Sequence, residues 1–236
     1  MWLCEKLPQC RGIEMPSLAC GPTMRGKADR AYDAVLRFLY SCTHMPGQHL
    51  NEKELASKLN IGRTPVREAL IRLAAEGRIV SVPREGFFTR PLLEWALLDS
   101  YIIARQILTF ALTRVQPQAS HHSLSSDVSS PSVLALQAET IFAVIAQGSS
   151  SCELCQIIEK FCFGSHPLRM EIAASELSPG FEASLARLTD VMPQFGNTPD
   201  VVKSALMNHL DFEEGAIPGV LQEFSRRRLE SFPLIT

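Results

Sequence analysis

No uninterrupted apolar run in this 236-residue chain approaches the roughly 18 residues a membrane-spanning helix needs. The opening residues, MWLCEKLPQC, put Glu5 and Lys6 where a secretory leader carries its apolar segment, so a cytoplasmic protein is expected. A strong net charge is also missing: 23 Lys+Arg stand against 25 Asp+Glu, a balance of -2. Averaged over the chain, that balance argues against nucleic acid as a partner. The seven cysteines (Cys4, Cys10, Cys20, Cys42, Cys152, Cys155 and Cys162) are an odd number in a chain with no export signal. Reduced thiols fit that better than a disulfide framework. There is no internal repeat, no glycine-rich phosphate loop, no nucleophile–base arrangement and no full metal-ligand set, so an enzyme is not expected. What remains is globular. The chain is 46% apolar and 20% charged, with room for one large domain or two small ones.

Local patterns divide the chain into three parts. Residues 1–24, with Pro8, Pro16, Pro22, Gly12 and Gly21 and no sustained period, read as an N-terminal extension. Residues 25–92 read as helix, helix, tight turn, helix and a pair of strands. Ala31, Val35, Phe38 and Leu39 share one helical face, which ends at HMPG, residues 44–47. Asn51 is a good N-cap for a short helix with Glu52 and Glu54 in its first turn and Leu55 and Leu59 on its buried face. A break at Asn60–Gly62 leads into RTPVREALIRLAAEG, which tolerates Pro65 in its first turn and stops at Gly77. IVSVP (79–83) and GFFTR (86–90) read as strands joined through Arg84-Glu85-Gly86. Residues 93–236 read as all-helical, with helices expected near 92–115, 132–147, 152–175, 180–192, 199–213 and 219–230. Pro167 predicts a kink or split near Gly164, and residues 116–131 form a Ser-rich loop.

The neutral total hides a split. Residues 24–92 hold 12 Lys+Arg against 7 Asp+Glu, net +5, while residues 93–236 hold 9 against 16, net -7. A basic small domain joined to an acidic helical one is what phosphate contact by one part requires. On the third helix Val66, Leu70 and Leu73 point inward, and Arg63 and Arg67, one turn apart, share another face. Two guanidiniums at the start of a groove helix suit guanine O6/N7 or phosphate. Thr64 adds a hydroxyl and the helix start adds free N–H groups, Lys53 is placed for the backbone, and Gly86 lets a wing tip approach closely. A solvated arginine face is the competing reading, and the charge split, helix order and wing together weigh against it.

Residues 50–90, and above all GRTPVREALIRLAAEGRI, strongly resemble the DNA-binding domain of the GntR superfamily of bacterial transcription regulators. The resemblance implies a winged helix-turn-helix whose DNA contacts fall on Lys53, Arg63, Thr64, Arg67 and Gly86. Gly62 departs from the usual Ser or Thr before the helix, and Phe87 from the small residue that usually follows the wing glycine. Residues 93–236 resemble, more weakly, the effector and dimerisation (FCD) domain of the FadR branch, with Arg105 at its characteristic arginine. Many members of that branch hold a divalent metal with an Asp and three His, and the metal holds a small carboxylate. In this alignment Ser165 takes the Asp position and Arg169 the first His position, and His209 matches a later His, so the metal set is incomplete. Arg105 and Arg169 are candidates to bind a carboxylate effector directly. An ion pair of Arg169 with Glu171 or Glu176 competes with that, as a satisfied core histidine does for a metal-bound His209. His121 and His122 read as solvated loop residues, and Cys152-x-x-Cys155 as ordinary small side chains rather than a zinc or redox pair.

The expectation is a mainly α protein, an N-terminal winged helix-turn-helix followed by an all-helical domain. It would act as a homodimeric, sequence-specific regulator of transcription, a repressor on a palindromic operator, answering a small carboxylate effector. The alternative is a regulator whose helical domain has lost its ligand and serves only dimerisation.

Overall fold

A computed structural model of the chain describes residues 26–41, 45–114, 130–195 and 197–230. The N-terminal extension, most of the Ser-rich loop with His121 and His122, and Cys4, Cys10, Cys20 and Cys42 lie outside the described residues. The described chain falls into two compact units. One is drawn from Gly21–Leu93 together with Leu221–Thr236, the other from Glu94–Val220.

The first unit is a winged helix-turn-helix: α1 (Lys27–Tyr40), β1 (His49–Leu50), α2 (Glu52–Leu59), α3 (Arg63–Ala75), β2 (Ile79–Val82) and β3 (Gly86–Thr89). Asn51 caps α2, its side chain accepting from the Lys53 and Glu54 amides. Asn60 in the left-handed region and Gly77 at φ +70° close α2 and α3. Ala31, Val35, Val66, Leu70 and Leu73 are sealed in the core, beside Leu55 and Ile79. Phe38 and Leu39 are only half-buried; Tyr32 and Leu36 take the inner positions on α1 instead. The sheet has three strands in the order β1-β3-β2, all antiparallel, with Val82 opposite Gly86 and Leu50 opposite Phe87. Two-residue β1 is too short to carry an alternation, which is why the sequence pattern passes over it.

The second unit is helical: α4 (Glu94–Thr113), α5 (Pro131–Gly148), α6 (Cys152–Ala174), α7 (Ser178–Val191), a 3-10 turn (Met192–Gln194) and α8 (Pro199–Glu230), of which the residues to Val220 belong here. The break expected between two C-terminal helices, and the split allowed near Gly164, are corrected. The helices read as 199–213 and 219–230 are one, with Pro218 inside it, and α6 runs unbroken through Pro167. An internal proline costs about 3 kcal/mol. Ile217 and Val220 near Pro218, and Leu168 and Ile172 beyond Pro167, are all at most 3% exposed. Burial of a large apolar side chain is worth about 1.5–3 kcal/mol, so two of them offset one lost hydrogen bond. One helix among the described residues, α4, is long and apolar enough to cross a membrane. Asp99 and Arg105 interrupt it, and its Leu97, Tyr101, Ala104, Leu108 and Leu112 are buried in the helical core.

Gly62, the N-cap of α3, has extended backbone (φ -61°, ψ 151°) and no side chain to accept from the first turn. A Cβ there would meet Pro65 Cδ at 3.5 Å, an ordinary contact. Gly62→Ser is therefore expected to stabilise the winged unit by roughly 0.5 kcal/mol through a restored cap and a less flexible unfolded chain. Thermal unfolding measures it, and a lowered midpoint would contradict the argument.

Candidate nucleic-acid interface

The winged unit turns its cations outward. Lys53, Arg63, Thr64 and Arg67 are all exposed, Lys53 in the first turn of α2 and the other three at the start of α3. Val66, Leu70 and Leu73 anchor the opposite face of α3 in the core, which fixes the direction in which Arg63 and Arg67 leave the helix. Gly62 brings no side-chain acceptor to the first-turn N–H groups of α3, which stay open toward an anion. Both arginines lean on one carboxylate. Glu52, the first residue of α2, accepts from Arg63 Nε at 3.1 Å and faces Arg67 Nε at 3.7 Å. The sequence presents Glu52 as a first-turn acid; nothing local in it signals that α3, 11 residues on, brings both guanidiniums to its side chain.

The wing tip is built on strained geometry. Arg84 and Gly86 both have positive φ, +67° and +105°. A Cβ on Gly86 would lie 3.0 Å from His49 Nε2, and His49 in turn packs edge-on against Phe88. Gly86 is thus required by the turn itself and by β1, apart from any approach to DNA.

The other sequence candidates sit in the helical unit, and there the cations turn inward. Arg169 on α6 is wholly buried. Its Nε donates to Glu213 Oε1 at 2.7 Å and its Nη1 to Glu139 Oε1 at 3.4 Å, while Phe142 and Phe161 flank the guanidinium about 5 Å away. The expected pairing with Glu171 or Glu176 is corrected. Glu171 is two residues along the same helix and so points elsewhere, and Glu176 lies exposed in the turn beyond it. His166 Nδ1 is 2.8 Å from Glu139 Oε1. His209 is wholly buried, Nδ1 3.0 Å from Ser184 Oγ and Nε2 3.3 Å from Glu213 Oε1. Tyr101 donates to Glu213 Oε2 at 2.6 Å. Arg105 is not part of this cluster; it is half-buried and paired with Asp211 and Glu214 at 2.5 and 2.7 Å.

Burial alone would push the Glu213 carboxyl up, but the Arg169 guanidinium, helped by His209, carries it down to about 2. Burial, then the Glu213 charge, hold the Tyr101 hydroxyl well above its ordinary value, so it remains a donor. The cluster does not fit a divalent metal. Ser165 spends its hydroxyl on the Phe161 carbonyl, the Arg169 guanidinium occupies the space between Glu139 and Glu213, and among the described residues no three His, Cys, Asp or Glu side chains are grouped so that they could hold a metal ion. Cys152, Cys155 and Cys162 are free thiols. Glu139, Glu213 and His166 were not among the sequence candidates. Glu139 did carry a signal: it is the one ionisable residue in the 18 of α5, and an acid in so apolar a helix needs a partner.

Comparison with known proteins agrees with this geometry. Residues 27–89 match the family model described as "Bacterial regulatory proteins, gntR family". The chain is 48% identical over 56 residues to the Nta operon transcriptional regulator of Aminobacter aminovorans, 24% of this chain and 27% of that one. It is 34% identical over 83 residues to the HTH-type transcriptional repressor RspR of Escherichia coli K12 (35% and 36%), and 25% identical over 130 residues to the HTH-type transcriptional regulator YdhC of Bacillus subtilis (55% of each). The matched segments thus span from about a quarter to about half of these relatives' length. Two solved structures share the fold: a transcriptional regulator GntR from Rhodococcus sp. RHA1, TM-score 0.62, 16% identical, covering 82% of this chain and 98% of that one, and E. coli McbR/YncC, TM-score 0.58, 17% identical, covering 85% and 100%.

The depressed Glu213 carboxyl fixes a pH dependence. Its folded value, about 2, lies below its ordinary 4.5. The stabilisation is therefore complete above about pH 5 and is lost as pH falls toward 2. A difference of that size corresponds to about 3 kcal/mol. Glu213→Gln should lose that order of stability at pH 7 and little more on acidification, so the two unfolding curves converge near pH 2. Curves that stay parallel from pH 7 to 3 would contradict the pairing.

Proposed function

We propose that this chain, whose residues 27–89 are a GntR-family helix-turn-helix domain, is a sequence-specific repressor of transcription that acts as a homodimer on a palindromic operator. It is a DNA-binding transcriptional regulator, and the exposed Arg63/Arg67 face of α3, within residues 24–92 of net charge +5, is the observation that carries the finer reading. In it α3 enters the major groove with Arg63, Thr64 and Arg67 toward base edges and adjacent phosphates. Lys53 meets the backbone and the Gly86 wing meets the minor groove. Two-fold symmetric protein reads two-fold symmetric DNA. An exposed apolar stripe on α4, formed by Trp95, Ile102, Ile103 and Phe110, supports pairing of two copies through the helical unit. A dimer seated on an operator blocks polymerase, and one relative is named a repressor. The work is done in the cytoplasm, where the DNA is, and needs no catalysis.

Regulation has two readings. Arg169 Nη2 is buried and carries no hydrogen bond, and His209 Nε2 is buried with only Glu213 Oε1 near it, at 3.3 Å, which favours a small effector at Arg169 and His209, with Arg105 as an outer cation. Against it, Glu213 already holds the Arg169 guanidinium at 2.7 Å, and Asp211 and Glu214 hold Arg105. An effector carboxylate has to displace an internal one. This favours the second reading, in which the helical unit serves dimerisation without a ligand. Thermal unfolding of the full chain with millimolar citrate or lactate, with Zn²⁺, and with EDTA separates them. A midpoint raised by a carboxylate supports the effector, and no response to any of them supports the ligand-free unit.

The DNA reading is tested by Arg67→Ala. Operator affinity should fall by the equivalent of about 1–3 kcal/mol if a base is contacted, with sedimentation and thermal midpoint unchanged. Unaltered operator affinity would refute the role of Arg67.

A further inference from the structure

Glu52 is half-buried at the start of α2, while the two guanidiniums it faces, on Arg63 and Arg67, are 69% and 64% exposed. Its oxygens are divided between them: Oε2 accepts from Arg63 Nε at 3.1 Å, and Oε1 forms a longer ion pair with Arg67 Nε at 3.7 Å. Its own position is fixed, because Asn51 caps the same turn through the Lys53 and Glu54 amides and Leu55 is sunk in the core. An ion pair this exposed contributes little to stability. Its consequence is geometric. A guanidinium held by Nε turns its two Nη groups outward as a fork, and a fork of two parallel N–H donors is what guanine O6/N7 accepts. The carboxylate also halves the net charge of the pair of arginines and sits close to where a phosphate would approach.

We infer that Glu52 is a positioning residue for DNA reading, holding Arg63 and Arg67 by their Nε atoms so that the Nη forks meet base edges, and repelling phosphate from the same face. The inference rests on the DNA-binding reading above and adds to it a determinant of specificity that never touches a base. Free arginines on long, flexible stems would take phosphates of any sequence. Tethered ones lose less freedom when they meet the right bases and gain less from the backbone. Excluding water at the DNA surface strengthens the carboxylate's hold rather than loosening it.

The experiment compares full-length wild type, Glu52→Gln and Glu52→Ala on two duplexes, one carrying the site that wild type selects from a random pool and one scrambled. Both variants should bind scrambled DNA more tightly. Their ratio of selected to scrambled affinity should fall about tenfold, the loss of one good base contact. The slope of log affinity against log salt on scrambled DNA should steepen by roughly one, as a released arginine takes up a phosphate. A helix-stabilising role alone, the ordinary contribution of a first-turn acid, lowers the thermal midpoint and leaves ratio and slope as in wild type; that result overturns the inference. So does a Glu52→Gln effect that persists undiminished in an Arg63→Ala, Arg67→Ala background, since the effect would not pass through the arginines. Wild type that prefers no duplex over scrambled DNA overturns the DNA reading itself, and the clamp with it.

Discussion

The helical unit is organised by one buried charge. A guanidinium cannot sit in a dry core unanswered, because removing an isolated ion from water costs several kcal/mol even after relaxation. Arg169 is answered by Glu213 on α8 and Glu139 on α5, from its own place on α6. The two acids then recruit further groups. Tyr101 from α4 donates to Glu213, His166 meets Glu139, and His209, held by Ser184 of α7, faces Glu213. Every helix of the unit thus contributes a side chain to one polar cluster. Apolar residues of equal volume would pack as tightly, and such a pair is weak evidence of added stability. What it adds is an address: helices that slide or rotate leave a charge stranded, so one packing is chosen over its neighbours.

The same residue type does opposite work in the winged unit. There Arg63 and Arg67 stay in solvent, where their ion pairs with Glu52 are worth little as stability and the charges remain available to a partner. The nearly neutral total therefore conceals two treatments of positive charge. One unit answers its buried Arg169 internally, with Glu213 and Glu139. The other holds net +5 on 69 residues (24–92), compensated only in part by acids that orient it. An unbalanced surface destabilises a fold by self-repulsion, and α3 tolerates it because Val66, Leu70 and Leu73 are fully buried beneath.

Local patterns were the legible part of the chain. The α3 period, the Asn51 cap, the Gly77 stop and the two main wing strands follow from spacing and from residues with one conformational use, and the structure bears each of them out. Helix interruption is less legible. Pro167 and Pro218 are strong local breakers, yet the burial around them outweighs one lost hydrogen bond, and burial is a property of neighbours far along the chain. For the same reason the partners of Arg169 were invisible. They lie 44 and 30 residues away, while the acids nearest in sequence, Glu171 and Glu176, are barred by helix geometry and by the end of α6.

That asymmetry bears on how such a protein changes function. A metal-held carboxylate site needs three or four ligands from several helices. In the helical unit, the positions that resemble that set hold Ser165, bonded to its own helix, and Arg169, a fixed cation that needs no loading. Glu213, an internal carboxylate, completes the pair. A covalently attached anion has a far higher effective concentration than any free one, so a chain that supplies its own is biased toward the occupied state. The residues that would answer a signal in the helical unit are then the same ones that hold its helices together.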